Sequence, residues 1–133
     1  MKIKFLIIML SLIVAKTITA QSQISILETE AVKDYLTLSE DQYKTINPII
    51  EQIKSIIDED KKIISDLKKR FKSGDEPGFF EKIGVKRGRD NRKGDVEDLI
   101  EEIEDQLNDQ QKIRFKNIEK PKLQSLDKKE LTQ

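Results

Sequence analysis

Carboxylates are the side chains in this sequence whose type and spacing come closest to those of a catalytic site. Asp58 and Glu59 are adjacent, and paired carboxylates can exchange a proton with a substrate. On a helix, however, neighbouring residues point in different directions, so this pair does not converge on one substrate. The chain has no His and no Cys, on which nucleophilic catalysis and transition-metal sites mostly depend. We therefore predict that the protein is not an enzyme and has no catalytic residue, metal site or cofactor.

A run of acidic residues raises the possibility of a calcium site. Residues 95–109 contain eight Asp and Glu side chains and no basic one. A twelve-residue calcium loop counted from Asp90 to Glu101 would need an oxygen ligand at its third position and glycine at its sixth. Arg92 and Asp95 occupy these two positions. The sequence therefore does not encode this calcium motif.

Basic side chains are concentrated just before the acidic run. Such a cluster is typical of nucleic-acid binding, and it is equally able to form ion pairs with acidic residues of the same chain or of a dimer partner. The sequence favours ion pairing, keeps contact with anionic proteins or envelope surfaces as an alternative, and disfavours a nucleic-acid partner. The cluster consists of Lys82, Lys86, Arg87, Arg89, Arg92 and Lys93.

The N-terminus has the organisation of a secretory signal peptide. Two lysines precede an apolar run from Phe5 to Ala15, and small residues follow. We predict a signal peptide over residues 1–20, cleaved after Ala20. The apolar run is too short to span a bilayer, so no stable membrane insertion is expected. The remaining chain would carry a net charge of −3, from 22 basic and 25 acidic residues, and would be periplasmic or secreted.

The longest regular pattern predicts the element that positions everything else. From Tyr43 to Phe71, apolar residues recur at alternating steps of three and four, interrupted only by Asp60. This spacing predicts one helix over residues 39–71, bent at Pro48 because proline removes a backbone donor. A second apolar stripe makes the hydrophobic face wider than one partner helix covers. The second stripe consists of Ile49, Ile56 and Ile63.

Two similar five-residue segments are predicted to start helices. The first reads Leu-Ser-Glu-Asp-Gln from Leu38, and the second reads Leu-Asn-Asp-Gln-Gln from Leu107. In each, a Ser or Asn can cap the free backbone N–H groups of the first turn, and a Gln three residues later can reach back in a capping box. The structural residues of these motifs are Leu38, Ser39, Gln42, Leu107, Asn108 and Gln111.

The remaining segments have weaker patterns. All five glycines and Pro77 lie within residues 72–94, so we predict a flexible, basic connection there. An apolar face predicts a second helical region over residues 95–120, either kinked or divided at the second motif. Residues 21–37 are predicted to form an N-terminal arm, with or without a short helix at its end. Residues 121–133 are predicted to form a charged tail.

Phe79 and Phe80 lie inside the predicted connection. An apolar pair at this place most often plugs the end of two packed helices, where it is removed from water. The same pair can instead form an exposed patch that binds a partner. We expect the plug and keep the exposed patch as the alternative.

With both motifs present, the sequence resembles the periplasmic Spy/CpxP-like family, which carries two copies of Leu-Thr-x-x-Gln. Ser39 and Asn108 replace the threonine, and each retains a side chain that can cap a helix. The resemblance implies an all-α fold, with a long helical hairpin over residues 38–120 that assembles as an elongated antiparallel homodimer. It also implies an ATP-independent chaperone of the envelope stress response. Some relatives restrain a stress sensor, and others bind metal through residues that this sequence lacks.

We therefore expect a periplasmic holding chaperone that binds unfolded or misfolded envelope proteins on a helical surface. The alternative is a regulatory or adaptor module that docks one defined envelope partner, such as a stress sensor. Apolar side chains would hold exposed segments and flexible lysines would keep the complex soluble, although the same isoleucines could form the core of the hairpin or dimer. The predicted client or partner surface consists of Ile49, Ile56, Ile63, Phe79, Phe80, Lys54 and Lys61.

Overall fold

A computed structural model describes residues 23–123. The predicted signal peptide at residues 1–20 and most of the predicted tail, residues 124–133, lie outside this range. The described chain contains four helices: α1 Thr29–Leu36, α2 Glu40–Lys72, α3 Phe79–Asp105 and α4 Asp109–Phe115. Within it there is no β-strand, and one isolated bridge pairs Ser25 with Glu119. The prediction of an all-α fold is confirmed.

Helix α2 is the longest element, and it forms because its apolar residues share one face. The helix starts one residue later and ends one residue later than predicted, and it continues through Pro48. Three isoleucines of the first stripe, Ile46, Ile50 and Ile53, have no exposed surface. Full burial of one such side chain contributes about 1.5–3 kcal/mol to the stability of the folded state. This stripe is therefore the main attachment of α2 to the rest of the molecule.

The main core lies at the base of the molecule, where the two ends of the described chain meet. The N–H of Ile26 donates to the carbonyl of Glu119 at 2.9 Å, and the N–H of Glu119 donates to the carbonyl of Ile24 at 2.8 Å. The short helix allowed for in residues 21–37 is present as α1, and its Val32 and Leu36 are fully buried. All four helices contribute to this core.

The prediction of a flexible connection over residues 72–94 is wrong for most of this range, and the prediction that a helix starts at residue 95 is also wrong. Helix α3 begins at Phe79. A glycine inside a helix costs about 1 kcal/mol relative to alanine, so the composition favoured a loop. Packing against α2 offsets this cost, because Arg89 is buried there and Val85 is half-buried. The glycines inside α3 are Gly84, Gly88 and Gly94.

The turn between α2 and α3 is confined to residues 73–78. Gly74 has a φ of +79°, a left-handed conformation that glycine adopts without strain. Its N–H donates to the carbonyl of Phe71 at 3.2 Å, and the N–H of Asp75 donates to the carbonyl of Arg70 at 3.0 Å. These two bonds form a Schellman cap, which satisfies the last carbonyls of α2 and reverses the chain.

Two of the helical glycines are expected to be replaceable with a gain in stability. Gly84→Ala and Gly94→Ala should each raise the free energy of unfolding by about 0.5–1 kcal/mol, because alanine loses less conformational entropy on folding. A Cβ added at either position would meet no atom within 4 Å. Urea denaturation measures the change. The matched control is Gly74→Ala, which should destabilise the protein because of its positive φ; destabilisation at Gly84 and Gly94 as well would contradict their helical environment.

Candidate functional site

Both predicted motifs start helices at the base of the molecule. Ser39 Oγ accepts from the N–H of Gln42 at 3.1 Å, and Gln42 Oε1 accepts from the N–H of Ser39 at 3.0 Å. In the second motif, Asn108 Oδ1 accepts from the N–H of Gln111 at 2.9 Å, and Gln111 Oε1 accepts from the N–H of Asn108 at 3.0 Å. Both capping boxes are therefore present, and the second motif divides two helices.

The two motif glutamines also bond to each other. Gln42 Nε2 donates to Gln111 Oε1 at 2.8 Å, and Gln111 Nε2 donates to Gln42 Oε1 at 3.1 Å. Each amide further donates to the carbonyl just before the opposite motif, from Gln42 to Gln106 at 2.9 Å and from Gln111 to Thr37 at 3.4 Å. A third carbonyl, that of Leu36, accepts from Gln111 at 3.2 Å. The motifs meet in a nearly symmetric unit, termed here the motif pair.

The motif pair is a structural device and not a reactive one. Gln111 is buried, and the two motif leucines, Leu38 and Leu107, belong to the main core. The amide groups are neutral, and their donors and acceptors are used in hydrogen bonds within the pair or to backbone. Sequence reasoning identified the caps but missed the bonds between the two glutamines. The repeat of the same pentapeptide was the signal that could have indicated a shared role.

The predicted client or partner surface does not form one patch. Ile49 is only 4% exposed and belongs to the main core, so its assignment to a binding surface is wrong. Ile56 packs against the same core and Ile63 against a smaller cluster, and both are half-buried. Beside them, Lys54 is half-buried and Lys61 is exposed. On this face of α2, parts of the Ile56 and Ile63 side chains are therefore exposed to solvent, together with lysines.

Phe79 and Phe80 lie at the opposite end of the molecule from the motif pair. They are 72% and 85% exposed, and their ring centroids are 5.6 Å apart in an edge-on arrangement. The expectation that they plug the end of the helices is wrong, and the alternative of an exposed patch is found. The turn is filled by Pro77, which is buried. The two phenylalanines are thus not needed for the core.

Ion pairs hold the two helices together near this turn. The guanidinium of Arg70 at the end of α2 donates to Asp75 in the turn at 2.9 Å and to Glu81 in α3. The hydrogen bond from Arg70 lowers the pKa of the Glu81 carboxyl, because the cation favours the ionised form of that group. Lys82 lies 2.8 Å from Glu76. The acidic side chains around the turn therefore have basic partners of their own chain.

A buried ion cluster joins α2 to α3 midway along their length. Asp60 is 2% exposed and accepts from Arg89 Nε at 3.1 Å, from Arg89 Nη2 at 3.2 Å and from Arg92 Nε at 3.1 Å. Ion pairing of the basic cluster within the chain is thus found: Arg89 and Arg92 bind Asp60, and Lys93 lies 3.9 Å from Glu97 of the acidic run. Sequence reasoning missed this cluster. Its signals were an acid inside an apolar stripe and two arginines three residues apart.

Residues 23–123 contain neither a cluster of metal-ligating side chains nor a membrane-spanning helix. No group of three or more carboxylate, His or Cys side chains is placed to hold a metal ion. No helix in this part of the chain is long and apolar enough to cross a membrane. Comparisons with protein-family models, with curated proteins and with solved structures give no match. The resemblance to Spy/CpxP-like proteins therefore rests on the sequence motifs and is not supported by these comparisons.

Proposed function

We propose that the protein is an ATP-independent holding chaperone of the periplasm that binds unfolded envelope proteins. The observation that carries this proposal is the motif pair. Both copies of the pentapeptide start a helix, and Gln42 and Gln111 join them in one unit. The family that the sequence resembles carries this motif twice and includes such chaperones. The joined motifs support the view that both copies serve one scaffold.

The holding surface is proposed on the outer face of α2. Ile56 and Ile63 are half-buried, so each keeps some apolar surface in contact with water, and Lys54 and Lys61 lie close by in the sequence. Small apolar areas beside flexible lysines favour weak and reversible contact with exposed segments of many proteins. Phe79 and Phe80 lie beyond the end of α2 and are left out of this surface. An antiparallel dimer, which we also propose, would present the surface twice.

Suppression of aggregation tests this function. Two unrelated proteins are diluted from denaturant with the purified protein present and ATP absent, and their light scattering is followed. We expect both to stay in solution at a near-equimolar amount of dimer, because a holding chaperone binds by exposed apolar segments and not by sequence. Ile56→Ser combined with Ile63→Ser should weaken the effect several-fold while circular dichroism shows an intact fold.

The matched control is Ile113→Ser, which removes an isoleucine that is 65% exposed on α4, away from the proposed surface. This variant should suppress aggregation as the unmodified protein does. Failure to suppress the aggregation of either protein would contradict generic holding. A single envelope protein recovered by crosslinking, together with that failure, would favour the regulatory or adaptor module instead.

A further inference from the structure

Charge is distributed unevenly along the packed pair of helices α2 and α3. Residues 66–87, termed here the tip, surround the turn between the helices and carry seven basic and four acidic side chains. Residues 94–123, towards the base, carry nine acidic and five basic side chains, and eight of these acids lie in residues 94–111, which have no basic residue. The molecule therefore has a positive end and a negative end, and the exposed Phe79–Phe80 pair lies at the positive end.

The positive charge of the tip is not cancelled by its acids. Three of the four acids lie near the turn and have partners there: Asp75 and Glu81 bind Arg70, while Glu76 binds Lys82. The fourth, Asp66, is 3.9 Å from Lys69. These pairs leave a surplus of basic side chains on the surface around the two phenylalanines. The exposed basic residues that provide it are Lys72, Lys86 and Arg87.

We propose that the tip binds the surface of an anionic lipid bilayer. Phe79 and Phe80 protrude together and are large, apolar and free of core contacts, so they can enter the boundary between headgroups and acyl chains without unfolding the helices. The surrounding basic side chains attract anionic headgroups over roughly one Debye length. Aromatic insertion and headgroup attraction therefore act at the same place and add to each other.

The charge at the base favours one orientation on the membrane. Carboxylates of residues 94–111 are repelled by an anionic surface, whereas the tip is attracted. The α2–α3 pair should therefore stand away from the bilayer, with the motif pair remote from it. This contact is peripheral, and it does not depend on a chaperone function.

Vesicle sedimentation tests the proposal. The protein is purified after expression of the full sequence, and mass spectrometry determines the N-terminus of the purified form. It is then mixed with phosphatidylcholine vesicles that contain or lack phosphatidylglycerol. We expect binding to the anionic vesicles only, weakening as salt is added. Phe79→Ser with Phe80→Ser should weaken binding about tenfold or more. Replacement of Lys72, Lys86 and Arg87 by Gln should weaken it about fivefold per residue.

Control variants carry changes of the same kind, at fewer positions, away from the tip. They are Ile113→Ser for the exposed apolar surface, and Lys44→Gln with Lys116→Gln for the charge; all three side chains are exposed. These variants should bind the anionic vesicles as the unmodified protein does. All the substituted side chains lie outside the core, so circular dichroism and thermal unfolding should report an unchanged fold.

Several results would overturn the proposal. One is a failure of the protein to bind anionic vesicles, and another is equally strong binding to neutral vesicles. Equal binding by the tip variants and the control variants would place the contact elsewhere in the chain. Loss of self-association in the Phe79→Ser, Phe80→Ser variant without any vesicle binding would identify the tip as a contact between copies of the protein. The aggregation assay is separate, because tip variants should still suppress aggregation, so the two proposals can fail independently.

Discussion

Asp60→Asn is expected to lower the free energy of unfolding by about 3–5 kcal/mol, the range for breaking a buried ion pair by removing one partner. The asparagine has nearly the same shape, but it removes the negative charge that the guanidinium groups of Arg89 and Arg92 bind. Their side chains are 9% and 13% exposed, so water can replace little of what is lost. Urea denaturation followed by circular dichroism measures the change.

Two variants show whether burial and charge cause this loss. Asp58→Asn changes an exposed carboxylate two residues away and should stay within about 0.5 kcal/mol of the unmodified protein. Asp60→Leu combined with Arg89→Met and Arg92→Leu removes all three charges together. It should be close to neutral or stabilising, because no charge is then left buried without a partner. An equal loss in the triple variant and in Asp60→Asn would contradict the buried charge as the cause of the lost stability.

Gln111→Leu is expected to cost about 2–4 kcal/mol of stability, since several buried or partly buried polar groups lose their partner at once. The N–H of Asn108, the carbonyl of Leu36 and the amide of Gln42 all bond to this side chain. Thermal and urea unfolding should both report the loss. The control is Gln110→Leu at the exposed neighbouring position, which should change stability by no more than about 0.5 kcal/mol.

A double-mutant cycle separates capping from the bonds between the motifs. Gln42→Leu removes one capping box, and the Gln42→Leu, Gln111→Leu double variant removes both. If the two amides bond directly, the double variant should lose less stability than the sum of the single variants, with a coupling of about 0.5–3 kcal/mol. Strict additivity would show that each glutamine acts only on its own helix.

Features of the fold that depend on neighbouring residues could be predicted from the sequence. Helix α2 follows from an apolar period sustained over many turns, and its start follows from Ser39 and Gln42, three residues apart. The second motif obeys the same local rule. In each case the stabilising partner lies within one or two helical turns, so the interaction can be predicted from a short stretch of sequence.

Features that depend on contacts distant in sequence could not be predicted in the same way. The glycines of α3 favour a loop locally, and the helix is explained by its packing against α2, which includes the buried contact of Arg89 with Asp60, 29 residues earlier. The bonds between Gln42 and Gln111 span 69 residues. Ile49 repeats with the same seven-residue spacing as Ile56 and Ile63, yet only Ile49 is closed off by the main core. Periodicity shows which face is apolar, but tertiary packing decides how much of that face remains exposed.

The meeting of both chain ends at the base has a consequence for the order of folding. Contacts such as Asp60 with Arg89 close a short loop, whereas Gln23 bonds to the carbonyl of Asn117, 94 residues later. Closing longer loops costs more entropy and slows folding. During synthesis the N-terminal end leaves the ribosome first, so the core around Val32 and Leu36 stays incomplete until α4 has also emerged. The part of the protein that is made first is therefore the part that completes last, and the nascent chain is open to aggregation throughout that interval.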